Sequence, residues 1–285
     1  MSIPMAFSDL AKPTNDLLGK DFPVVGHKLE VKTFAPNNVL FTAKGAQSEK
    51  GPIAGELEAK WSDKPNGLTL TQGWTTANKL NSKLELEDQF AKGLKLEIGT
   101  AFEPASTGRA AKLGLLYKRP MFHGRTFLDL SAKSGPVLTT DAVVSHEGYF
   151  VGAEGSYDIQ AGDIKKYSLG LGYSTPLVGV AVQSSNKLSL YTASYYHRVN
   201  SNVEASGRVT WDSVAGDKVL AEVGGKYTLD RLAFAKAKIN NGGIAQLSYT
   251  QFIRPGVQLG LGLSLDTQKL NEPVHKVGSS LTFSG

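Results

Sequence analysis

Cysteine is absent from all 285 residues, so disulfides, thiolate metal centres and cysteine nucleophiles are excluded. No apolar run approaches the roughly 18 residues of a membrane-spanning helix, and the longest candidates, such as Pro176 to Val182, are far shorter. Histidine is scarce. His27, His123, His146, His197 and His275 are scattered, without the i, i+4 pairing of a metal helix, and read as solvated or hydrogen-bonded side chains. Gly256 to Gly262 is glycine-rich but sits in a strand pattern and opens no helix, so it is no phosphate-binding fingerprint. No nucleophile elbow or interpretable carboxylate pair is present. The expectation is a protein without catalytic machinery, metal or cofactor. Lys and Arg (31) outnumber Asp and Glu (26), for a net charge of +5, but they are spread along the chain. That favours anions generally and argues against a nucleic-acid patch. Met1 to Ala6 lacks the basic and apolar regions of a cleaved secretory signal, so none is expected.

What the chain has is alternation. In Val257-Gln258-Leu259-Gly260-Leu261-Gly262-Leu263-Ser264-Leu265-Asp266 the odd positions are aliphatic and the even ones small or polar. Successive strand residues point to opposite faces, so this period of two gives one apolar and one wettable face. From His27 onward such segments recur roughly every 13 to 14 residues, giving about 19 candidate strands. They include Leu68 to Trp74, Leu94 to Phe102, Tyr167 to Tyr173, Val178 to Val182, Val203 to Trp211, Val219 to Tyr227 and Val277 to Phe283. Turn residues separate them: Asn37-Asn38, Pro65-Asn66-Gly67, Ser134-Gly135, Asn200-Ser201, Ala215-Gly216 and Asn241-Gly242-Gly243.

The first segment differs. Ser8 is placed to cap a short helix reaching Lys20, with Asp9, Lys12, Asp16 and Lys20 on one face and Leu10, Leu17 and Leu18 opposite. Pro13 should kink or divide it, and Gly19 should end it.

Alternation alone leaves two architectures. A soluble sandwich would turn its apolar face inward; a membrane barrel would turn it to lipid. Long uniform strands, hairpin-short connections, and Trp74, Tyr157, Tyr173, Trp211 and Tyr227 near strand ends in phase with the apolar face favour the barrel. A strand of about ten residues, tilted, spans the apolar band of a membrane barrel, and a ring of this many strands encloses water. The polar face would then line a pore, with Lys95, Lys112, Lys166, Lys218, Lys226 and Lys276 as candidate wall charges.

Further motifs are Phe7-Ser8-Asp9-Leu10 with Asn15-Asp16-Leu17-Leu18-Gly19-Lys20-Asp21-Phe22, Gly67 to Trp74, and Gly93-Leu94-Lys95. To these add His146-Glu147-Gly148, Tyr227 to Asn241, Arg254-Pro255-Gly256-Val257, and Pro273-Val274-His275-Lys276. With these in collinear order, the chain resembles over essentially its whole length the mitochondrial porins, the voltage-dependent anion channels, and most closely their fungal members. The resemblance implies an all-β transmembrane barrel of 19 strands, a strand number already known for this family. It implies an antiparallel meander closed by a parallel pair of first and last strands, His27 to Ala35 and His275 to Phe283. Residues 1–26 would form the N-terminal helix and linker, and 27–285 the barrel. The helix, Ser8 to Lys20, would sit inside the pore and take part in selectivity and voltage gating.

By the same resemblance the protein would be a multi-pass barrel of the mitochondrial outer membrane, embedded in its lipid. It would pass ATP, ADP, phosphate, respiratory substrates and NADH, with anions preferred when open and cations when closed. Asp16, Lys20, Lys60 and Lys95 match positions associated with ion selectivity, and Lys12 and Lys20 with ATP contact. Gly93, Leu94 and Lys95 match a nucleotide-linked motif. Stretches aligning with Ile244 to Gln246 and with Gly262, Leu263, Ser264, Leu265 and Asp266 contact NADH in animal members. The family signature around Tyr227, Asp230, Lys238 and Asn240 is present, with departures at Arg231 and Gln246. Homo-oligomers remain open, and no nucleic-acid partner is expected. Some animal members carry a membrane-facing glutamate where this chain has Lys83; local phase instead puts Lys83 with Glu85 and Glu87 on the wet face. The alternatives are a protein-import barrel of the same membrane and a soluble β-domain binding a small ligand.

Overall fold

The structure is a computed structural model describing residues 3–47, 51–104, 108–131, 135–216 and 218–285. Nineteen strands form one closed sheet, from β1 (Gly26–Phe34) to β19 (Lys276–Ser284). Sequential neighbours pair antiparallel throughout. Because the strand number is odd, β1 and β19 run in the same direction and close the ring as a parallel pair, from Gly26 opposite Gly278 to Lys32 opposite Ser284. Every strand is thereby paired on both sides, which is what a hydrocarbon surrounding requires of backbone N–H and C=O groups.

The alternation is realised residue by residue. The stretch Val257–Asp266 is one strand, β18. Its Gly262 lies against the Pro23 carbonyl inside the barrel, so Leu259, Leu261, Leu263 and Leu265 take the outer face. Outward apolar side chains are exposed all around the barrel: Leu57, Trp74, Leu113, Val151, Leu171, Val223, Leu247 and Val277 among them. A water-soluble monomer does not sustain an apolar surface that encircles it, so this face suits a hydrocarbon surrounding and the soluble β-domain is excluded. Aromatic side chains near strand ends pair across neighbouring strands on this face. The Tyr149 and Tyr173 ring centroids are 4.7 Å apart, and Tyr191 stacks on Trp211 at 5.3 Å.

Some boundaries differ from the sequence reading. The closing strands begin and end one residue away from His27 to Ala35 and His275 to Phe283, and the strand read as Tyr167 to Tyr173 runs Asp163–Ser174. Its extra residues include Lys165, which pairs with Asp158 at 2.7 Å across the hairpin. Ser134, of the expected Ser134-Gly135 turn, lies outside the described residues. Asn38, Gly67, Gly216 and Gly243 do take positive φ in their turns.

The N-terminal segment is not one capped helix. A 3₁₀ turn, Phe7–Asp9, precedes α1, Lys12–Gly19, and the Ncap residues, Ala6 and Ala11, make no side-chain cap. Ser8 is turned to the wall instead, its Oγ accepting from Arg125 Nη2 at 3.3 Å. Pro13 explains the division. It falls in the first turn of α1, where a missing N–H costs nothing, but a continuous helix through it would lose a bond and clash with the preceding turn.

Candidate functional site

Charged side chains of many strands converge in the lumen, and α1 occupies one side of it. The helix packs on β13 (Leu190–Arg198), β14 (Val203–Asp212) and β15 (Lys218–Thr228), and the 3₁₀ turn on β9 (Gly135–His146) and β10 (Tyr149–Asp158). Two apolar contacts seat the segment. Phe7, Leu10 and Ala11 bury with Val143, Phe150 and Ala181, and Leu17 and Leu18 bury with Tyr196. Full burial of a leucine is worth about 1.5–3 kcal/mol, and Leu18 is 1% exposed. The inner wall is therefore not uniformly wet, as alternation had implied. Val143, Phe150 and Ala181 are inward apolar positions whose partners come from the helix. On β15 the seat also needs Gly224, because a Cβ there would meet Leu18 Cδ2 at 2.8 Å and the Ala237 carbonyl at 2.8 Å.

The C-terminal end of α1 is held by lysines. An α-helix leaves its last carbonyls without partners and carries partial negative charge there. Lys236, from β16 (Ala233–Asn240), reaches that end with its side chain 4% exposed. Its Nζ donates to the Asp16 carbonyl at 3.2 Å, the Lys20 carbonyl at 3.0 Å and Asp21 Oδ2 at 2.9 Å. Three donors meet three acceptors. Lys238 Nζ donates to the Leu18 carbonyl at 2.6 Å and to Glu222 Oε1 at 2.8 Å. Earlier in the segment, Arg125 binds Asp141 through Nε at 3.0 and 3.1 Å. Buried His123 sits at hydrogen-bond distance, 3.1 Å from Nδ1, to the Pro4 carbonyl. Beyond α1 the linker crosses the wall where Gly262 and Gly278 leave room for the Pro23 carbonyl; any side chain at either position would collide with linker backbone.

The polar face of α1 is turned to the open lumen. Asp16 lies between two lysines, 3.6 Å from Lys12 and 3.0 Å from Lys20. Across the lumen, β5 (Leu80–Glu87) and β6 (Leu94–Glu103) carry a four-membered cluster. Lys83 is 2.8 Å from Glu85 and 3.1 Å from Glu97; Lys95 is 2.7 Å from Glu85 and 3.1 Å from Glu97. Lys83 thus faces the lumen, as its phase required. Most other candidate wall lysines are paired too: Lys112 with Asp129 at 3.5 Å, Lys166 with Glu154 at 2.6 Å and Lys226 with Glu204 at 3.6 Å. Lys60, Lys218 and Lys276 make no ion pair among the described residues.

The nucleotide candidates divide by face. Lys12, Lys20 and Lys95 reach the lumen, and Ser264 and Asp266 share its side of β18. Leu94, Leu263 and Leu265 carry their side chains to the outer face, Gly262 is covered by Pro23, and Gly93 serves a rim turn at φ +83° against the Lys118 carbonyl. Sequence reasoning does not single out Lys236 and Arg208, which bond to α1, Arg125, which bonds to Ser8, or Glu222, which bonds to Arg208 and Lys238. The available signal is the inward Lys236-Ala237-Lys238 alternation in a strand with few other charges. Among the described residues no group of His, Asp or Glu is disposed to hold a metal ion.

Comparison with known proteins agrees with this architecture. The family described as eukaryotic porin matches residues 3–278. The chain is 48% identical over 284 residues to the mitochondrial outer membrane protein porin of Neurospora crassa, covering 99% of both chains. It is 46% identical to the protein of the same name in Candida albicans, again covering 99% of each. Identity is 30% to the human non-selective voltage-gated ion channel VDAC1, with 99% of both covered. Among solved structures, a double mutant of the Rh. blastica porin aligns with a TM-score of 0.51 at 10% identity. That alignment covers 86% of this chain and 97% of the other, a likeness of fold alone.

Proposed function

The chain belongs to the eukaryotic porin family, and from that membership and the paired charges of its lumen we propose a weakly anion-selective passage for ATP, ADP, phosphate, NADH and similar metabolites. The protein is a voltage-gated pore of the mitochondrial outer membrane, in a family of channels rather than enzymes. Of the proposed division into 1–26 and 27–285, the described residues 3–25 serve as the segment and linker, and the barrel begins one residue earlier than expected, at Gly26, its outer face turned to the membrane lipid.

The observation that carries the selectivity reading is the pairing of cations with carboxylates along the wall. Lys95 shares Glu85 and Glu97 with Lys83, and Lys12 and Lys20 share Asp16. Paired charges raise the local concentration of anions only slightly. Lys60, Lys218 and Lys276, without ion pairs among the described residues, tip the balance without forming a tight site, and a pore that must release its permeants needs binding of that weakness. A phosphate passing α1 meets Lys12 and Lys20 on its exposed face; one passing the opposite wall meets Lys95. In a planar bilayer holding the purified chain, with a gradient of a salt whose only anion is ATP, the reversal potential should lie away from the cation's equilibrium potential because ATP carries part of the current. A reversal potential at the cation's equilibrium value would remove nucleotides from the permeants.

A further inference from the structure

Carboxylates on the pore wall differ in what their cations do. Glu154 pairs with Lys166 at 2.6 Å and with no other cation among the described residues. Glu222, at the middle of β15, stands between Arg208 on β14 and Lys238 on β16, with one oxygen for each: Oε2 accepts from Arg208 Nη2 at 2.8 Å and Oε1 from Lys238 Nζ at 2.8 Å. Each cation also makes one hydrogen bond to the helix. Arg208 Nη1 donates to Asn15 Oδ1 at 3.0 Å, and Lys238 Nζ donates to the Leu18 carbonyl at 2.6 Å.

We propose that Glu222 is the positioning residue for α1, orienting Arg208 and Lys238 so that one holds the helix side chain at Asn15 and the other its final turn at Leu18. Two cations on flanking strands repel and, without a common anion, extend into water; long basic side chains lose much rotamer freedom when fixed in one geometry. A carboxylate with two oxygens solves both problems, because each oxygen fixes one cation and charge-assisted bonds are the stronger kind. The same strand supplies Gly224 beneath Leu18, so β15 provides the notch for the helix and the clamp above it. Among the described residues the side-chain bonds of Glu222 go to Arg208 and Lys238 and not to the helix, so it acts through its two partners. Its consequence for conduction rests on the pore reading, whereas its hold on the helix does not.

The absence of native cysteine makes the test clean. A nitroxide on Gly19→Cys reports helix motion, since Gly19 is exposed and a Cβ there meets nothing within 4 Å. In bilayer vesicles, Glu222→Gln should add a mobile component to the label spectrum and make the open-channel current noisier. Glu154→Gln, which removes the same charge from the same wall, should leave the label immobile and only shift the reversal potential toward anions. Asn15→Ala removes the acceptor for Arg208 from the helix and leaves the barrel wall intact, so it should mobilise the label in the same direction even if Glu222→Gln inserts poorly. A parent-like label spectrum for inserted Glu222→Gln would overturn the proposal, and so would a parent-like spectrum for Asn15→Ala. A mobilised label without any change in current would uphold the positioning role and contradict the link to conduction.

Discussion

Replacing Lys236 with methionine should release the last turn of α1 from the barrel wall. Methionine keeps most of the buried stem but supplies none of the three donors that meet the Asp16 carbonyl, the Lys20 carbonyl and Asp21. The Asp16 carbonyl retains the Lys20 amide at 3.1 Å; the Lys20 carbonyl and the Asp21 carboxylate lose the lysine donor. Hydrogen bonds to a charged group are each worth about 1.5–3 kcal/mol, and part of that returns as the freed groups meet water. A net loss of about 3 kcal/mol in docking follows, roughly a hundredfold in the population of the open arrangement. Amide hydrogen exchange in bilayer vesicles reads this directly: exchange at residues 15–20 should accelerate while the strand amides stay protected. Unchanged exchange across α1 would show that Leu17 and Leu18 alone hold the helix.

Lys95→Glu has the largest expected effect on selectivity. At present the β5–β6 cluster balances two lysines against two glutamates, all facing the lumen. The substitution leaves Lys83 alone against three carboxylates, so the cluster changes from neutral to a net charge of −2. In a water-filled passage the field of such a group is screened over roughly 8–10 Å, yet that distance covers a large share of a pore's cross-section. Reversal potential in a potassium chloride gradient should move clearly toward cation preference. The paired exchange, Lys95→Glu with Glu85→Lys, restores neutrality and should restore the reversal potential. A Lys95→Glu channel with unchanged reversal potential would mean that permeant ions do not sense this part of the wall.

These two sites differ in how far they could be read from the sequence. Lys83 could be placed on the wet face by counting in twos from Leu84 and Leu86, and Lys95 by counting from Leu94 along its own strand, because a strand allows only two faces and register fixes which is which. The same counting placed Leu259 to Asp266 of β18, although Val257, counted with the outer face, is buried. Counting puts Lys236 on the wet face but does not give its partners. Its acceptors at Lys20 and Asp21 are separated from it by 216 and 215 residues, and no local period reports a contact closed only when the ring closes. Val143 and Phe150 show a related limit: inward apolar side chains on a pore wall look like breaks in alternation until the helix covers them. Ser8 misled for the opposite reason, since a residue type suited to capping also suits an arginine on the wall. The parallel closure came from resemblance rather than from counting, as one missed or split strand would have changed it.

Helix and wall together give a coherent account of a gated passage. The apolar seat and the Lys236 and Lys238 contacts fix α1 against β13 to β16, its charged face bordering the open side, while the paired charges of the opposite wall keep ion binding weak. In the proposed reading a transmembrane field would act on Lys12, Asp16 and Lys20, and on a segment whose hold is a handful of hydrogen bonds and two apolar contacts. The central claim is that this chain alone forms a voltage-gated, anion-preferring pore. Recording from the purified protein in a planar bilayer across a potassium chloride gradient tests it most directly. Stepwise conductance that falls as voltage of either sign rises, with an open-state reversal potential on the anion side, is the predicted result; no conductance, or one independent of voltage, would contradict it.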